Sequence, residues 1–331
     1  MGCLRVAING FGRIGRLIYR LGYKEKDIEW VAVNDLASPE ALAHLLEYDS
    51  VYGKLGAKIS VEKNSIFVDG KELRIFNEKD PAALPWKDLK IDVVIESTGR
   101  FTKKEDAEKH ISAGAKKVLL SAPAKSAGFK TIVLGVNDSS LSSSDVLVSN
   151  ASCTTNCFAP IAKVLEDSFG IEKGFLSTVH SYTSDQNLLD SPHKDLRRAR
   201  SAAINIIPTS TGAAIAVSEV IPSLRGKMDG VSFRVPTPVG SIIDFVCVTK
   251  RPVTIEEVNS AVRKAAEGKM KGIVEYSEKP LVSTDIIGNA ASSIFDSKLT
   301  NVIGGNLVKV VSWYDNETGF SRRMIDMVKR M

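Results

Sequence analysis

A glycine-rich turn near the N-terminus constrains the fold more than any other feature of the sequence. Gly10, Gly12 and Gly15 follow an apolar run at residues 4–8 and open a segment with apolar residues at helical spacing. Asp35 ends the next predicted strand, 20 residues after Gly15, where an acidic side chain binds the ribose hydroxyls of NAD. The alternative is an incidental glycine turn beside a surface aspartate. The order of strand, turn, helix, strand and acid favours a dinucleotide site.

The first half of the chain continues as apolar runs that alternate with amphipathic stretches. Strands are predicted over residues 91–96, 117–121 and 131–135, and a hairpin is predicted around Asp69 and Gly70. This pattern is typical of a parallel sheet covered on both faces, with ligands at the carboxyl ends of the strands. We therefore predict an α/β protein whose Rossmann-type NAD-binding domain spans residues 1–151.

The second half of the chain has longer apolar runs and fewer helical patterns. Strands are predicted over residues 175–183, 231–235, 242–249 and 307–314, and an amphipathic helix over residues 255–266. This pattern predicts an α+β catalytic domain with a largely antiparallel sheet, over residues 152–317. A C-terminal helix at about residues 318–331 is expected to dock back on the first domain.

Cys153 lies among Ser, Thr and Asn residues, between a predicted strand at 145–149 and a predicted helix at 158–169. A helix N-terminus lowers the pKa of a thiol, so this setting predicts a nucleophilic cysteine. His180 ends a predicted strand and could act as its base, although the spacing leaves a structural histidine equally open. Cys157, four residues further on, is interpreted as a packed helix residue that could pair with Cys153 on oxidation.

Length, cysteine count and charge limit the classes of protein to which this chain can belong. The 331 residues suffice for two domains, and no apolar run is long enough to cross a membrane. The four cysteines and four histidines show no metal-ligand spacing, so we expect no metal, and a reduced, cytoplasmic protein. The net charge of +5 fits small anionic ligands better than a nucleic-acid surface.

Seven segments resemble the motifs of one enzyme family, and together they extend over essentially the whole chain. They lie at residues 9–16 (NGFGRIGR), 149–156 (SNASCTTN), 178–183 (TVHSYT), 193–200 (HKDLRRAR), 209–214 (TSTGAA), 234–238 (RVPTP) and 313–317 (WYDNE). On these motifs the sequence resembles the phosphorylating glyceraldehyde-3-phosphate dehydrogenases of bacteria and eukaryotes.

The resemblance implies an activity and a role for each site residue. Cys153 would attack the aldehyde, His180 would act as the base, and inorganic phosphate would release 1,3-bisphosphoglycerate from a thioester, as a step of glycolysis or gluconeogenesis. The implied residues for the substrate phosphate are Thr183, Asp185, Arg198 and Arg234, and those for the attacking phosphate are Ser152, Thr154, Thr211 and Gly212. The implied cofactor residues are Gly10, Phe11, Gly12, Arg13, Ile14, Gly15, Asp35, Lys79, Ser97, Ser121 and Asn316.

A basic run that holds His193, Lys194, Arg197, Arg198 and Arg200 would by default be a solvated face or a nucleic-acid patch. In the family this run lies on a loop at a subunit interface. The resemblance therefore implies a homotetramer, with nucleic acid unlikely as the primary partner and no membrane partner.

The chain departs from the family pattern at a few positions. Ser191 stands where the NAD-specific members usually have Leu, while Asp35 would still repel a 2′-phosphate, so we predict NAD preference with some tolerance of NADP. Further departures are at Lys79, Ile215, Thr318 and Phe320. Two alternatives remain: an erythrose-4-phosphate dehydrogenase, and a binding protein on the same scaffold that associates with RNA or cell surfaces.

Overall fold

The computed structural model describes residues 3–331, which separate into two compact units. The first unit holds the chain up to Ile132 together with Ser139–Ala151 and Ser321–Met331. The second unit holds Val133–Asp138 and Ser152–Phe320. No helix within the described residues is long and apolar enough to cross a lipid bilayer.

The first unit is an α/β structure. Its helices are α1 (Arg13–Gly22), α2 (Pro39–Glu47) and α3 (Lys104–Ser112). Its strands are β1 (Leu4–Asn9), β2 (Ile28–Asn34), β3 (Tyr48–Asp49), β4 (Gly53–Lys54), β5 (Ile59–Glu62), β6 (Ser65–Val68), β7 (Lys71–Phe76), β8 (Val93–Glu96), β9 (Lys117–Leu120), β10 (Lys130–Thr131) and β11 (Leu147–Ser149). Short 3₁₀ turns lie at Pro81–Ala83 and Asp138–Ser140.

Within residues 3–331, one nine-stranded sheet organises this unit in the order β10-β11-β9-β8-β1-β2-β7-β6-β5. The strands from β10 to β7 pair in parallel, and β6 and β5 add an antiparallel edge. The central strands are buried almost throughout, which explains their continuous apolar runs. The predicted Rossmann-type parallel sheet is thereby confirmed, and β1, β2 and β8 end together at one edge.

Local turn chemistry explains one correct and one wrong prediction. Asp69 and Gly70 both have positive φ (49° and 79°) and join β6 to β7, as the Asp-Gly signal predicts. The strand predicted over residues 131–135 ends at Thr131 instead. Beyond it, the Asn137 and Asp138 side chains accept hydrogen bonds from the backbone N–H groups of Val133 and Gly135, which forms turns rather than a ladder.

The second unit is an α+β structure. Its helices are α4 (Cys153–Phe169), α5 (Ala213–Val220), α6 (Ile255–Glu267) and the start of α7 (Thr318–Val328), which continues into the first unit. Its strands are β12 (Ile171–Ser181), β13 (Ile207–Ser210), β14 (Met228–Val235), β15 (Ser241–Thr249), β16 (Val274–Ser277), β17 (Ser293–Asp296), β18 (Asn301–Ile303) and β19 (Leu307–Tyr314). Short 3₁₀ turns lie at Pro222–Leu224, Ser283–Ile286 and Ser297–Leu299.

The sheet of the second unit runs β13-β14-β12-β15-β19-β17-β16, and β18 pairs with β19. Most neighbours are antiparallel, as predicted, but β16 pairs with β17 and β12 pairs with β14 in parallel. Helix α4 packs on this sheet and against α5 and α6. The parallel pairing matters for function because it sets the end of β12 beside the end of β14.

The C-terminal residues are held in the first unit by ion pairs. The carboxylate of Glu25 contacts Arg322 at 2.8 Å and Lys329 at 2.7 Å. The Lys117 ammonium also donates to the carbonyl of Met331.

Candidate active site

Cys153 is the first residue of α4. Ser152 caps the helix: its side-chain oxygen accepts a hydrogen bond from the Thr155 N–H at 3.1 Å. Ala151, just before it, has a φ of +54°, a left-handed conformation that is uncommon outside glycine. The thiol therefore lies in the first turn of a long helix, as the sequence predicts.

His180 lies beside Cys153, with its Nε2 atom 3.4 Å from the sulfur. Its Nδ1 atom is 2.7 Å from the carbonyl oxygen of Ser181, which can only accept, and 3.2 Å from a guanidinium nitrogen of Arg234, which can only donate. We assign the proton to Nδ1 because the carbonyl contact is much the shorter, and the Arg234 nitrogen has two other acceptors in Ser181 and Thr183. The free lone pair of Nε2 then faces the sulfur. A neutral imidazole in this tautomer can take the thiol proton, which is the arrangement that a nucleophilic cysteine needs.

Arg234 is the third member of this group. It pairs with His180 in the register of β12 with β14, which explains why residues distant in sequence meet here. One guanidinium nitrogen donates to the Ser181 carbonyl at 3.2 Å and to the Thr183 hydroxyl at 3.0 Å. The positive charge of Arg234 therefore lies beside both the imidazole and the thiol.

Burial and charge act on the titration of this pair in opposite ways. Burial raises the pKa of the Cys153 thiol, while the Arg234 charge and hydrogen bonds from Thr154 and the helix start lower it. Burial, followed by the Arg234 charge, lowers the pKa of His180 to about 3. The helix start acts on the thiol pKa in the predicted direction, but burial of this half-buried residue opposes it. Proton transfer from sulfur to Nε2 creates opposite charges that attract each other, so the two groups titrate as a pair.

Tyr314 supports the pair, and the sequence analysis assigned it no role. Its ring meets the His180 ring edge-on at 5.9 Å between centroids. Its hydroxyl lies 2.9 Å from that of Thr154 and 3.1 Å from that of Thr178, which in turn donates to the Ile242 carbonyl. Strand alternation could have shown that Tyr314 faces inward on β19, but not which groups it contacts.

Four residues proposed for the substrate phosphate form one connected cluster. Arg234 donates to Thr183, Thr183 donates to Asp185, and Arg198 donates to Asp185. Burial raises the pKa of Asp185, but the Thr183 hydroxyl and the two arginine charges outweigh it and lower the pKa. The Nε of Arg234 is buried, with no hydrogen-bond partner among the described residues. This cluster presents positive charge and donors to an anion.

The residues proposed for the attacking phosphate lie at the starts of two helices. The Ser152 and Thr154 hydroxyls are engaged with Thr155 and Tyr314. Gly212 caps α5, and the Thr211 hydroxyl accepts from the Ala213 N–H at 3.2 Å. Although α4 and α5 pack together, no hydrogen bond in residues 3–331 joins the first pair to the second.

Asn316 is held in one orientation. Its side-chain oxygen accepts hydrogen bonds from the hydroxyls of Ser181 (2.9 Å) and Ser241 (3.0 Å) and from the Gly240 N–H (3.1 Å). The amide nitrogen is therefore the end that can donate to a ligand.

The glycine turn of the first unit fits a bound dinucleotide. A β-carbon on Gly10 (φ +92°) would lie 2.6 Å from the Thr98 nitrogen, and one on Gly15 would lie 2.2 Å from the Gly10 carbonyl oxygen. A β-carbon on Gly12 would meet no atom within 4 Å. Gly12 caps α1 without a side-chain hydrogen bond, so this open space lies at a helix start whose N–H groups suit a phosphate.

The other cofactor candidates lie at this turn or follow neighbouring strands. The Asp35 carboxylate accepts from the Phe11 N–H at 2.7 Å and from the Ala37 N–H at 3.0 Å. Arg13 pairs with Asp49 at 3.2 Å, and the Ser97 hydroxyl donates to the Gly10 carbonyl at 2.6 Å. The remaining three lie beside the turn or further along the strand ends: half-buried Ile14, half-buried Ser121 and exposed Lys79.

Within the described part of the chain, no group of three His, Cys, Asp or Glu side chains is placed to hold a metal ion. A nucleotide-binding unit, together with a unit in which a cysteine contacts a histidine that can act as its base, is typical of an aldehyde-oxidising dehydrogenase. That is the class of protein that the fold and the site define.

Comparison with known proteins narrows this class to one family. Residues 4–104 match the glyceraldehyde 3-phosphate dehydrogenase NAD binding domain, and residues 152–316 match the C-terminal domain of the same family. The chain is 57% identical to glyceraldehyde-3-phosphate dehydrogenase of Geobacillus stearothermophilus over 325 residues, which cover 98% of this chain and 97% of that one. It is 58% identical to the Thermotoga maritima enzyme over 327 residues, with 98% of each chain covered. This chain belongs to the glyceraldehyde-3-phosphate dehydrogenase family.

Proposed function

We propose that this chain oxidises glyceraldehyde 3-phosphate with NAD and inorganic phosphate and forms 1,3-bisphosphoglycerate. The observation that carries the proposal is the 3.4 Å contact between Cys153 Sγ and the free lone pair of His180 Nε2. An arginine cluster that suits a phosphate adjoins this contact, and the family and its named relatives support the same reaction.

The first step is the addition of the thiol to the aldehyde. The Cys153 sulfur gives its proton to Nε2 of His180 and attacks the carbonyl carbon, which breaks the C=O π bond. The oxygen that becomes negative is stabilised by the imidazolium and by N–H groups at the start of α4, and it receives the proton back. The product is a thiohemiacetal on Cys153.

Oxidation of the thiohemiacetal gives a thioester. His180 Nε2 removes the hydroxyl proton, the C=O bond re-forms, and the hydrogen on carbon leaves with its electron pair. Acceptance of this hydride is the chemistry that NAD supplies when it is bound. Inorganic phosphate then attacks the thioester carbon, the C–S bond breaks, and the acyl phosphate leaves while Cys153 regains its electron pair. The thioester retains the free energy of oxidation for the new phosphate bond.

The binding residues hold the reactants for these steps. Arg234, Arg198 and Thr183 bind the phosphate of the substrate, and Asp185 orients two of them. The attacking phosphate is bound by Ser152, Thr154, Thr211 and Gly212, mainly through N–H groups of the two helix starts, because the Thr154 hydroxyl is engaged by Tyr314.

The cofactor is held mainly by residues of the first unit. The turn from Gly10 to Gly15 binds the pyrophosphate, Asp35 binds the ribose hydroxyls, and Asn316 donates to the carboxamide of the nicotinamide. The Asp35 carboxylate repels a 2′-phosphate, so we predict a higher kcat/KM for NAD than for NADP. Equal values for the two cofactors would contradict this assignment.

A homotetramer is the proposed assembly. Large apolar side chains are exposed in residues 188–206, and some have more than two thirds of their surface accessible: Leu188 (74%), Leu189 (75%), Leu196 (81%), Ile204 (80%) and Ile206 (68%). Exposed apolar groups at this density are typical of an interface. Sedimentation of the purified chain as four copies would agree with this, and a stable monomer would contradict it. A reducing, cytoplasmic location is proposed because all four cysteines are free thiols.

One assay tests the proposed reaction. NADH formation from glyceraldehyde 3-phosphate is measured with and without inorganic phosphate, with NADP in place of NAD, and with erythrose 4-phosphate as the competing aldehyde. We expect steady turnover only when phosphate is present, with the triose as the better substrate. Steady turnover without phosphate, or a higher kcat/KM for the tetrose, would contradict the proposal.

A further inference from the structure

A fully buried carboxylate lies beneath the nucleotide turn. Glu96 is the last residue of β8, opposite Asn9 at the end of β1, and both side chains are inaccessible to solvent. One carboxylate oxygen accepts from the Asn9 amide at 2.5 Å and contacts His110 Nε2 at 3.1 Å. The other accepts from the Thr98 N–H at 2.8 Å and from the Thr98 hydroxyl at 2.5 Å.

His110 contacts Glu96 as a hydrogen-bond donor. Its Nδ1 atom lies 3.0 Å from the indole Nε1 of Trp86, and an indole N–H can only donate. Nδ1 therefore carries a lone pair, and the ring proton resides on Nε2, directed at Glu96. The four groups around the carboxylate all act as donors to it, so its two oxygens are held by hydrogen bonds on every side.

Glu96 thereby joins the two turns that face the cofactor. Through Asn9 it holds the residue that precedes Gly10, and through Thr98 it holds the backbone that closes over Gly10. The Ser97 hydroxyl makes a third link, to the Gly10 carbonyl. On the far side, the Asn34 amide donates to the Asn9 oxygen at 2.8 Å, which extends the network to the end of β2.

We propose that Glu96 is a positioning residue for the dinucleotide: it holds the turns at Gly10 and Thr98 in the binding geometry before the cofactor arrives. This inference rests on the proposed use of NAD. A binding site that is already ordered loses less free energy when it closes around its ligand, and affinity falls with the fraction of molecules that are ordered.

The test compares two carboxylate-to-amide substitutions at opposite ends of β8. Glu96→Gln keeps the shape but directs an N–H₂ group at existing donors. Asp92→Asn is the matched control, because Asp92 also accepts a backbone N–H of β1, from Arg5 at 2.9 Å, but precedes β8 at its other end. The dissociation constant of NAD is measured by titration calorimetry on the full chain, together with the melting temperature without NAD.

We expect Glu96→Gln to weaken NAD binding about tenfold or more, given the strength of hydrogen bonds to a charged group, and Asp92→Asn to leave it within about twofold. Thr98→Val removes the hydroxyl that donates to Glu96 and that accepts from the Arg100 N–H at 3.0 Å. It should weaken binding about threefold to tenfold, and it decides the matter if Glu96→Gln does not fold. If Glu96→Gln folds and binds NAD with unchanged affinity, the inference is overturned. If Glu96→Gln does not fold, unchanged affinity in Thr98→Val overturns it. So does an equal loss in Asp92→Asn. Wild-type chain that fails to bind NAD would instead contradict the proposed function.

Discussion

The Nδ1 atom of His180 lies 2.7 Å from the carbonyl oxygen of Ser181, and this contact, shorter than the 3.2 Å to the Arg234 guanidinium, assigns which end of the imidazole faces the nucleophile. Because the proton is held on Nδ1, the Nε2 lone pair points at the Cys153 sulfur. A backbone carbonyl cannot change its role as an acceptor, so the base is set in the correct tautomer by the main chain of β12 itself.

Replacement of His180 by Asn should separate the effect of the histidine on the Cys153 thiol from the effect of burial. In the proposed mechanism His180 takes the thiol proton, which would supply a thiolate near neutral pH. In the variant the imidazole no longer accepts the proton, and burial, which in the wild type raises the thiol pKa by more than Arg234 and the helix start lower it, is no longer opposed by a base. The thiolate should then be scarce at pH 7 and increase as the pH rises past the ordinary thiol value of about 8.5.

The measurement is the rate of alkylation by iodoacetamide against pH, together with kcat. We expect kcat to fall about 10²–10⁴-fold while the NAD dissociation constant stays unchanged. A variant that alkylates at pH 7 as fast as the wild type would show that His180 does not activate Cys153.

Alanine substitutions at Gly10 and Gly12 in the nucleotide turn should differ in effect: the first should lower stability, and the second should weaken NAD binding. Gly10→Ala forces a side chain into positive φ and against the Thr98 backbone, so the free energy of unfolding should fall by at least about 1–3 kcal/mol.

Gly12→Ala should leave stability nearly unchanged, because its β-carbon meets no atom and its φ is −71°. It should nevertheless abolish tight NAD binding, because the methyl group occupies the space for the pyrophosphate. Thermal unfolding and calorimetric titration of both variants check this. A Gly12→Ala chain that binds NAD normally would place the cofactor elsewhere.

Removal of the Tyr314 hydroxyl should lower both stability and kcat, because this hydroxyl joins residues that surround the Cys153–His180 pair. Tyr314→Phe leaves the buried Thr154 and Thr178 hydroxyls without the oxygen between them, which should lower the free energy of unfolding by about 1–3 kcal/mol. The Phe ring keeps its place beside His180 but loses the two hydroxyl contacts that fix its position, so kcat should fall while the KM for NAD stays the same. Tyr276→Phe, on the edge strand β16, is the control. Equal effects of the two substitutions on kcat would contradict a specific role for Tyr314.

Local sequence signals predicted the parts of the site that depend on local structure. The strand before Gly10, the Asp69-Gly70 hairpin and a helix after Cys153 each follow from turn residues and periodicity, although α4 begins at Cys153 and not at residue 158. The contact of Arg234 with His180 could not be predicted in this way, because it depends on the parallel pairing of β12 with β14.

Two further features depend on the folded environment. The bond between Thr154 and Tyr314 joins residues 160 positions apart, and no spacing rule reaches that far. Burial of the thiol opposes the effect of the helix start on its pKa, and burial is a property of the assembled unit.

The central claim is that Cys153 carries the acyl group as a thioester. The most direct test mixes the full chain with glyceraldehyde 3-phosphate and NAD in the absence of phosphate and follows the intact mass and peptide map. We predict one acyl group per chain, on the peptide that holds Cys153, released by inorganic phosphate and absent from Cys153→Ser. An acyl group on another residue, or NADH formation that survives in Cys153→Ser, would contradict the account.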